Sequence, residues 1–354
     1  MMAVKRTINL KERIMKKSIL SIIMLIFLST ILGACSGEKS ASSKEITMVW
    51  YPNESGNDLK DARDEIGKII EGATGRKVEH KLTTDYAVAI ETIANGKAEL
   101  AFMGAQGYIE ARSKNDNIEP LVVPSGASGT LDDAVYYSWL AVRAGDTDKY
   151  KTNGEYSIDN IVGSKFSFVS NSSTSGFKVP SSDIIAHFSK QDQWKDLMPE
   201  DLMEGGKFFK EVLYGDSHQG SAVNLLSNRA DVAAFCDTCV ANYVELADGE
   251  ENRPGSTYKV SENAAEPFNT VPGEEFTLIS VTPVLNAPFV ANMESLNQED
   301  FEKIQEAFTS DEVANNEKIF VKGEAETGLF KKTDQEKFVE TDDAWFDPIR
   351  ELSK

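Results

Sequence analysis

The chain is 354 residues long and acidic, with 57 Asp and Glu against 37 Lys and Arg and a formal net charge of −20. A surface of that sign repels polyanions and anionic lipid at long range, which excludes nucleic acid as a partner and leaves any anion site to work by local hydrogen bonds rather than field steering. The length suits two domains or lobes of ordinary size.

At the N-terminus, Met15, Lys16 and Lys17 precede an apolar run over 19–32 that is too short for an ordinary spanning helix and reads as a signal peptide. Leu32, Gly33, Ala34 and Cys35 resemble the lipobox of bacterial lipoproteins, in which the cysteine is diacylated and becomes the new N-terminus. Residues 1–34 are therefore expected to be removed, with Met15 as an alternative start, and Cys35 to carry the lipid. The polar stretch over 35–45 reads as a flexible tether.

Beyond the tether, 46–51 is an apolar, β-prone run closed by Pro52, and 59–71 has helical spacing at Ile66, Ile69 and Ile70. A strand over 78–82, a helix over 86–95, a strand over 100–103 and a helix start over 107–112 continue the alternation. A second series follows: a strand over 165–169, a helix over 181–189, a strand over 208–214, a helix over 220–228 and a strand over 231–235. The extended apolar segments 136–143 and 276–290 read as crossovers between two lobes, and 297–313 and 334–352 as helices that return to the first. The pattern predicts an α/β fold of two lobes, 46–141 with 285–354 and 142–284.

The most informative stretch is SSTSGFKVP over 172–180. Ser173, Thr174 and Ser175, followed by Gly176 and an apolar periodic segment, describe a loop feeding a helix start, where unpaired N–H groups and the positive end of the dipole favour anions. An ordinary N-cap and turn would use the same residues. Cys236 and Cys239 form a C-x-x-C in AAFCDTCV; the spacing allows a disulfide, a redox motif or half of a zinc site. With no second pair and no His at ligand spacing, structural thiols are favoured and no metal is expected.

The leader, the two α/β lobes and the STSG loop followed by proline resemble the phosphate, phosphite and phosphonate substrate-binding proteins of ABC importers. The resemblance implies a type II periplasmic-binding fold, with the ligand held between lobes that close by a hinge. It implies a tyrosine from a D-Y pair, which falls on Tyr86; a second at the crossover, on Tyr136 or its neighbour Tyr137; the Ser173, Thr174, Ser175 run; and a histidine in a glycine-flanked loop, on His218 in YGDSHQGSA. Asn53 and Ser55 in YPNESG, Gln106 in MGAQGY, and Gly176 are weaker candidates. Two carboxylates that hold an ammonium tail in aminoethylphosphonate binders have no counterpart, their places falling at Thr238, beside Asp237, and at Ala287, beside Asn286. A buried ammonium without a carboxylate is unfavourable, so a ligand without a cationic tail is expected.

An enzyme is the rival class. G-x-S-x-G, H-E-x-x-H and a Gly-rich Walker loop are all absent and the chain has three histidines, so no bond chemistry and no cofactor are expected. The expected partners are the permease and ATPase of an importer, met by a monomer lipid-anchored at the outer face of the cytoplasmic membrane. An anion sensor serving a signalling partner would carry the same sequence features.

Overall fold

In the computed structural model, which describes residues 45–323 and 327–352, the chain builds two sheets covered by helices. The leader, Cys35 and the tether through residue 44 lie outside the described residues. The chain opens with β1 (Glu45–Trp50), α1 (Lys60–Thr74), β2 (Lys77–Leu82), α2 (Tyr86–Ala94), β3 (Leu100–Phe102), α3 (Ala105–Lys114) and β4 (Ile118–Pro124). It continues through β5 (Val135–Arg143), a small hairpin of β6 (Lys151–Thr152) and β7 (Glu155–Tyr156), β8 (Lys165–Phe168), α4 (Val179–Phe188), β9 (Glu211–Tyr214), α5 (His218–Leu226), β10 (Val232–Cys236) and the short α6 (Asp237–Val240). Next come β11 (Val244–Asp248), β12 (Thr257–Val260), β13 (Glu275–Leu285), β14 (Phe289–Asn292), α7 (Gln298–Phe308), β15 (Phe320–Val321), β16 (Phe330–Lys331) and β17 (Phe338–Glu340). One six-stranded sheet has the order β17-β4-β14-β3-β1-β2, and one seven-stranded sheet the order β11-β12-β13-β5-β10-β8-β9.

Period-two alternation decides which face each strand residue serves. Ile46, Met48 and Trp50 of β1 pack with Ile66 and Ile70 of α1, while Val49 packs on the other face with Ala89, Ile93 and Tyr108. In β10, Val232 and Ala234 join Phe166, Phe168 and Ile184, whereas Ala233 and Phe235 join Trp139, Leu225 and Phe276. Burial on both faces is why these strands read as continuous apolar runs. Helix α1 ends where Gly75 takes a left-handed φ of 71° and returns its N–H to the Glu71 carbonyl at 2.8 Å.

Three expectations change. The crossovers β5 and β13 pair with each other, antiparallel, inside the second sheet, so a boundary after residue 141 falls within β5 and the passages between sheets lie at 124–135 and 285–289. Strand β4 adds to the expected elements; its Pro120 sits at an irregularity in the pairing with β14, where a ladder donor is dispensable. The helix expected over 334–352 is instead β17, a 3-10 turn over Asp343–Phe346 and a short helix over Asp347–Glu351. Phe338–Glu340 pairs with Val122–Pro124 and covers the open edge of β4, an interaction stronger than any local helical preference.

Ile66 is fully buried beneath the first sheet. Ile66→Ala should lower stability by about 2–5 kcal/mol, read as a lower urea midpoint with an unchanged slope.

Candidate functional site

A cavity of about 250 Å³ lies between the two sheets, and four of the chain segments that line it carry most of its polar groups. Three bring a helix start to the C-terminal end of a parallel strand, the usual place for a ligand in such sheets. After β2, Asp85 caps α2 by accepting the Val88 N–H at 3.1 Å, which sets Tyr86 in the first turn. After β8, the Ser173 hydroxyl accepts the Gly176 N–H at 3.1 Å and starts a single π-type turn over Thr174–Lys178. After β9, Ser217 accepts the Gly220 N–H at 2.9 Å and places His218 at the head of α5. The fourth segment, Pro52–Glu54 after β1, is held from behind by the buried Arg63 guanidinium, which donates to the carbonyls of Glu54 and Gly56. Gly176 has to be glycine, since a Cβ there would lie 2.2 Å from Val169 Cγ2.

The hydrogen bonds orient the polar hydrogens and link Tyr86, Ser173 and His218 in one chain. Tyr86 Oη accepts from Asn53 Nδ2 at 2.7 Å, and Thr174 Oγ1 accepts from the Gln106 backbone N–H at 2.9 Å. With those acceptor sites occupied, as in Ser173, each hydroxyl has its own O–H left to donate. The Cys236 backbone N–H donates to His218 Nδ1 at 3.0 Å, so the neutral imidazole carries its proton on Nε2, 3.3 Å from Ser173 Oγ. Ser175 Oγ is buried with no hydrogen-bond partner among the described residues, and the Tyr136 phenol lies beside the Ser175 and Thr174 hydroxyls. The arrangement is a concave array of neutral donors able to surround an oxyanion.

Burial sets the charge states. Desolvation pushes His218 down from 6.5 to about 3, so it stays neutral across the physiological range. Desolvation also lifts the Tyr86 and Tyr136 phenols far above their usual value, which keeps both protonated. Glu54 is pushed up from 4.5 to about 8, mainly by burial, with its own backbone N–H, Arg63 and Asn53 pulling the other way. Asp237 rises from 3.8 to about 7 by burial, against the hydrogen bond its Oδ1 accepts from the Tyr137 N–H at 2.9 Å.

The structure brings Tyr86, Tyr136, Ser173, Thr174, Ser175, His218 and Asn53 to the cavity wall. Tyr137, one residue along β5, faces the other side and packs with the cluster around Trp139. Ser55 does not reach the cavity, because its hydroxyl is bound to the carbonyls of Tyr51 and Thr83. Gln106 contributes its backbone N–H to Thr174 while its side chain goes to Glu110, and Gly176 contributes only the N–H that orients Ser173. Thr238 and Ala287 line the wall as expected, and Asp237 does not. Cys236 and Cys239 are joined in a disulfide beside His218. Sequence reasoning missed Tyr51, Glu54 and Gln219. Tyr51 stacks on Tyr86 with ring centroids 4.1 Å apart, and Gln219 Nε2 donates to the Asn53 carbonyl at 3.0 Å. The adjacency of Gln219 to His218 at a helix start was the one available signal.

Several of these contacts join the two sheet-bearing halves. The His218 N–H donates to Asn53 Oδ1 at 3.1 Å, Tyr243 Oη to Asp58 Oδ2 at 2.7 Å, and Ser172 Oγ to Glu110 Oε2 at 2.8 Å. Asn242 exchanges hydrogen bonds with the backbone of Gly328 in both directions.

An α/β fold of two sheets, with strand ends and helix starts from both converging on a donor-lined cavity, defines a solute receptor of the periplasmic-binding type. The family model described as ABC transporter, phosphonate, periplasmic substrate-binding protein matches residues 48–346, and the chain belongs to that family. A phosphate-import protein, PhnD, of Mycolicibacterium smegmatis is 26% identical over 332 residues, covering 90% of each chain. Among solved structures, the binding protein component of an ABC phosphonate transporter from Pseudomonas aeruginosa superposes with a TM-score of 0.62 at 22% identity, over 87% of this chain and 85% of that one. PhnD1 from Prochlorococcus marinus, in complex with methylphosphonate, gives a TM-score of 0.59 at 16% identity over 87% and 97%. Both share the fold. The protein is thus a periplasmic substrate-binding protein of an ABC importer, and no described helix is long and apolar enough to cross a membrane.

The raised carboxyls make stability depend on pH. Between the ordinary value of 4.5 and about 8, the folded Glu54 holds a proton that the unfolded chain has lost, so its contribution to stability falls as pH rises through that window. Asp237 acts in the same sense between 3.8 and about 7. In melts of the anion-free protein, Glu54→Gln should therefore gain stability relative to wild type as pH is raised from 6 towards 9. A constant difference between the two across that range would show Glu54 to be ordinarily ionised in the fold.

Proposed function

We propose that the protein captures a phosphorus oxyanion without a cationic tail (phosphate, phosphite or a small alkylphosphonate) in this cavity and delivers it to the permease and ATPase of its importer. One observation carries the reading: the hydroxyls of Tyr86, Ser173 and Thr174 each already accept a protein N–H, and His218 is held as the Nε2–H tautomer facing Ser173, so the wall is a linked, preoriented set of donors, Tyr86, Ser173 and His218 among them, from which an oxyanion in the cavity can accept. Tyr136 and the unpartnered Ser175 extend the set. Neutral donors in a cleft screened from water suit an oxyanion whose charge is spread over several oxygens.

The missing tail follows from the wall at Thr238, Asn286 and Ala287, which offers no carboxylate, and from Glu336, whose oxygens on the wall are taken by Thr333 and Asp334. Glu54 lies among the anion donors, close to Tyr86 and Tyr136, and so is not placed as a tail partner. The relatives that import phosphate or hold methylphosphonate point in the same direction. Two lobes, each centred on one sheet, would close about the passages at 124–135 and 285–289, with ligand contacts and the Asn53 to His218 and Tyr243 to Asp58 bonds favouring the closed form. Lipid on Cys35 and the tether over 35–45 would hold the receptor, as a monomer, at the outer face of the cytoplasmic membrane.

Calorimetry on the purified protein, stripped of bound anion by unfolding and refolding, tests the reading against phosphate, phosphite, methylphosphonate, 2-aminoethylphosphonate and sulfate. A tailless phosphorus anion should bind tightest. Tightest binding by 2-aminoethylphosphonate would overturn the tail argument, and silence across the phosphorus anions would sink the assignment. Replacing Ser173, Thr174 and Ser175 together with alanine should weaken binding by about 1.5–3 kcal/mol for each charge-assisted hydrogen bond lost; unchanged affinity would remove the site from this loop.

A further inference from the structure

The cavity wall holds two carboxylates, and they differ in one respect. Glu336 is fully occupied: Oε2 accepts the N–H groups of Thr333 and Asp334 at 3.0 and 2.7 Å, and Oε1 accepts the Thr333 hydroxyl. Glu54 is not. Its Oε2 is buried with no hydrogen-bond partner among the described residues, and the partners identified for its carboxyl are its own backbone N–H and Asn53. Its main chain is held independently of its side chain, through the Arg63 guanidinium on the Glu54 carbonyl. The groups that face the carboxyl are Arg63 from α1, Tyr51 at the end of β1, Tyr86 from α2, Tyr136 from β5 and Tyr243 from the other half, with Asp58 and Glu110 beyond them. Of these phenols Tyr243 gives its hydrogen to Asp58, which leaves Tyr51, Tyr86 and Tyr136 as the donors near the carboxyl. An unsatisfied carboxyl oxygen inside an array of donors is unfavourable in itself, and next to a bound dianion an ionised one would be worse.

We propose that Glu54 is a specificity-determining residue of the oxyanion site, its Oε2 sharing a single proton with one ligand oxygen, so that the complex forms only when either Glu54 or the anion supplies that proton. The inference rests on the oxyanion reading given above. No bond other than the O–H changes; the proton stays in the complex as O–H···O between carboxyl and ligand, whichever of the two brought it. Two regimes follow. While Glu54 holds its own proton, it donates to proton-free oxyanions; an anion that carries one proton, such as hydrogenphosphate, binds with release of one, and dihydrogenphosphate at lower pH releases its second proton as well. Once Glu54 is ionised, above about 8, hydrogenphosphate still brings a proton and binds unhindered. Sulfate, and phosphite or methylphosphonate as dianions, must then take a proton from solvent, and their affinity falls by about tenfold per pH unit. The cleft thereby prefers phosphate over proton-free competitors at alkaline pH, and the preference comes from a carboxyl rather than from any change in the donor array.

The test is calorimetry of wild type and Glu54→Gln with phosphate, methylphosphonate and sulfate, on both sides of the Glu54 value, each in two buffers of different ionisation enthalpy so that protons exchanged per binding event are counted. In wild type, phosphate above its own second ionisation should release close to one proton below the Glu54 value and none above it; sulfate, if it binds, should exchange none below that value and take up close to one above it. In Glu54→Gln these exchanges should vanish over the same range, and the ratio of hydrogenphosphate to sulfate affinity should cease to change with pH there. Equal proton exchange in the two proteins overturns the role of Glu54 while leaving the oxyanion site standing. A wild type that binds no phosphorus oxyanion at any pH overturns the site, and this inference with it. If the glutamine variant fails to fold, the wild-type proton counts decide alone, since their absence on both sides of the transition contradicts a shared proton.

Discussion

The backbone N–H of Cys236 donating to His218 Nδ1 is the interaction on which the chemistry of the cleft depends. It fixes the tautomer, turns Nε2–H toward Ser173, and ties the head of α5 to the end of β10, where burial disfavours a charge on the imidazole. The same principle is repeated around the cavity. Protein N–H groups occupy the acceptor sites of Ser173, Thr174 and Tyr86, so the orientation of each hydroxyl is settled before any ligand arrives. Preorganisation of this kind spares the ligand the free energy of turning dipoles into place.

That local order resolves an electrostatic conflict. A chain of net charge −20 has little long-range attraction for an anion, and the cavity wall counters it with oriented dipoles, three helix starts among them, rather than with a cluster of cations. Selectivity in such a site comes from hydrogen-bond geometry and proton inventory, because every oxyanion of the same charge meets the same field. Glu54 is then the one group whose response differs between anions of equal size.

Much of this was legible in the chain. The alternation of apolar runs and helical spacing marked β1, α1, α2, β8 and β10 close to where they lie, because each buries enough apolar residues for periodicity to dominate its composition. Residues announced by local chemistry, such as Tyr86 behind its Asp85 cap and Ser173 to Ser175 before Gly176, stand where a helix start must place them. The misses share a cause. Strand β4 has a proline that only a bulge accommodates, and β17 exists because β4 has an open edge, which is a property of the assembled sheet and not of residues 338–340.

What the sequence determined by itself was the acidity, the α/β order of the chain, and the inventory of hydroxyls and one histidine suited to an oxyanion. Tertiary structure decided which of them face the ligand. Tyr136 and Tyr137 are equivalent as a sequence pair and are separated only by the pairing of β5 with β13, which turns alternate residues to opposite faces. The protonation of His218 and Glu54 is likewise a tertiary matter. Both depend on desolvation and on hydrogen-bond partners, and Asn53, which serves the carboxyl, also accepts from His218 N–H across 165 positions of chain, a distance over which no local pattern carries information.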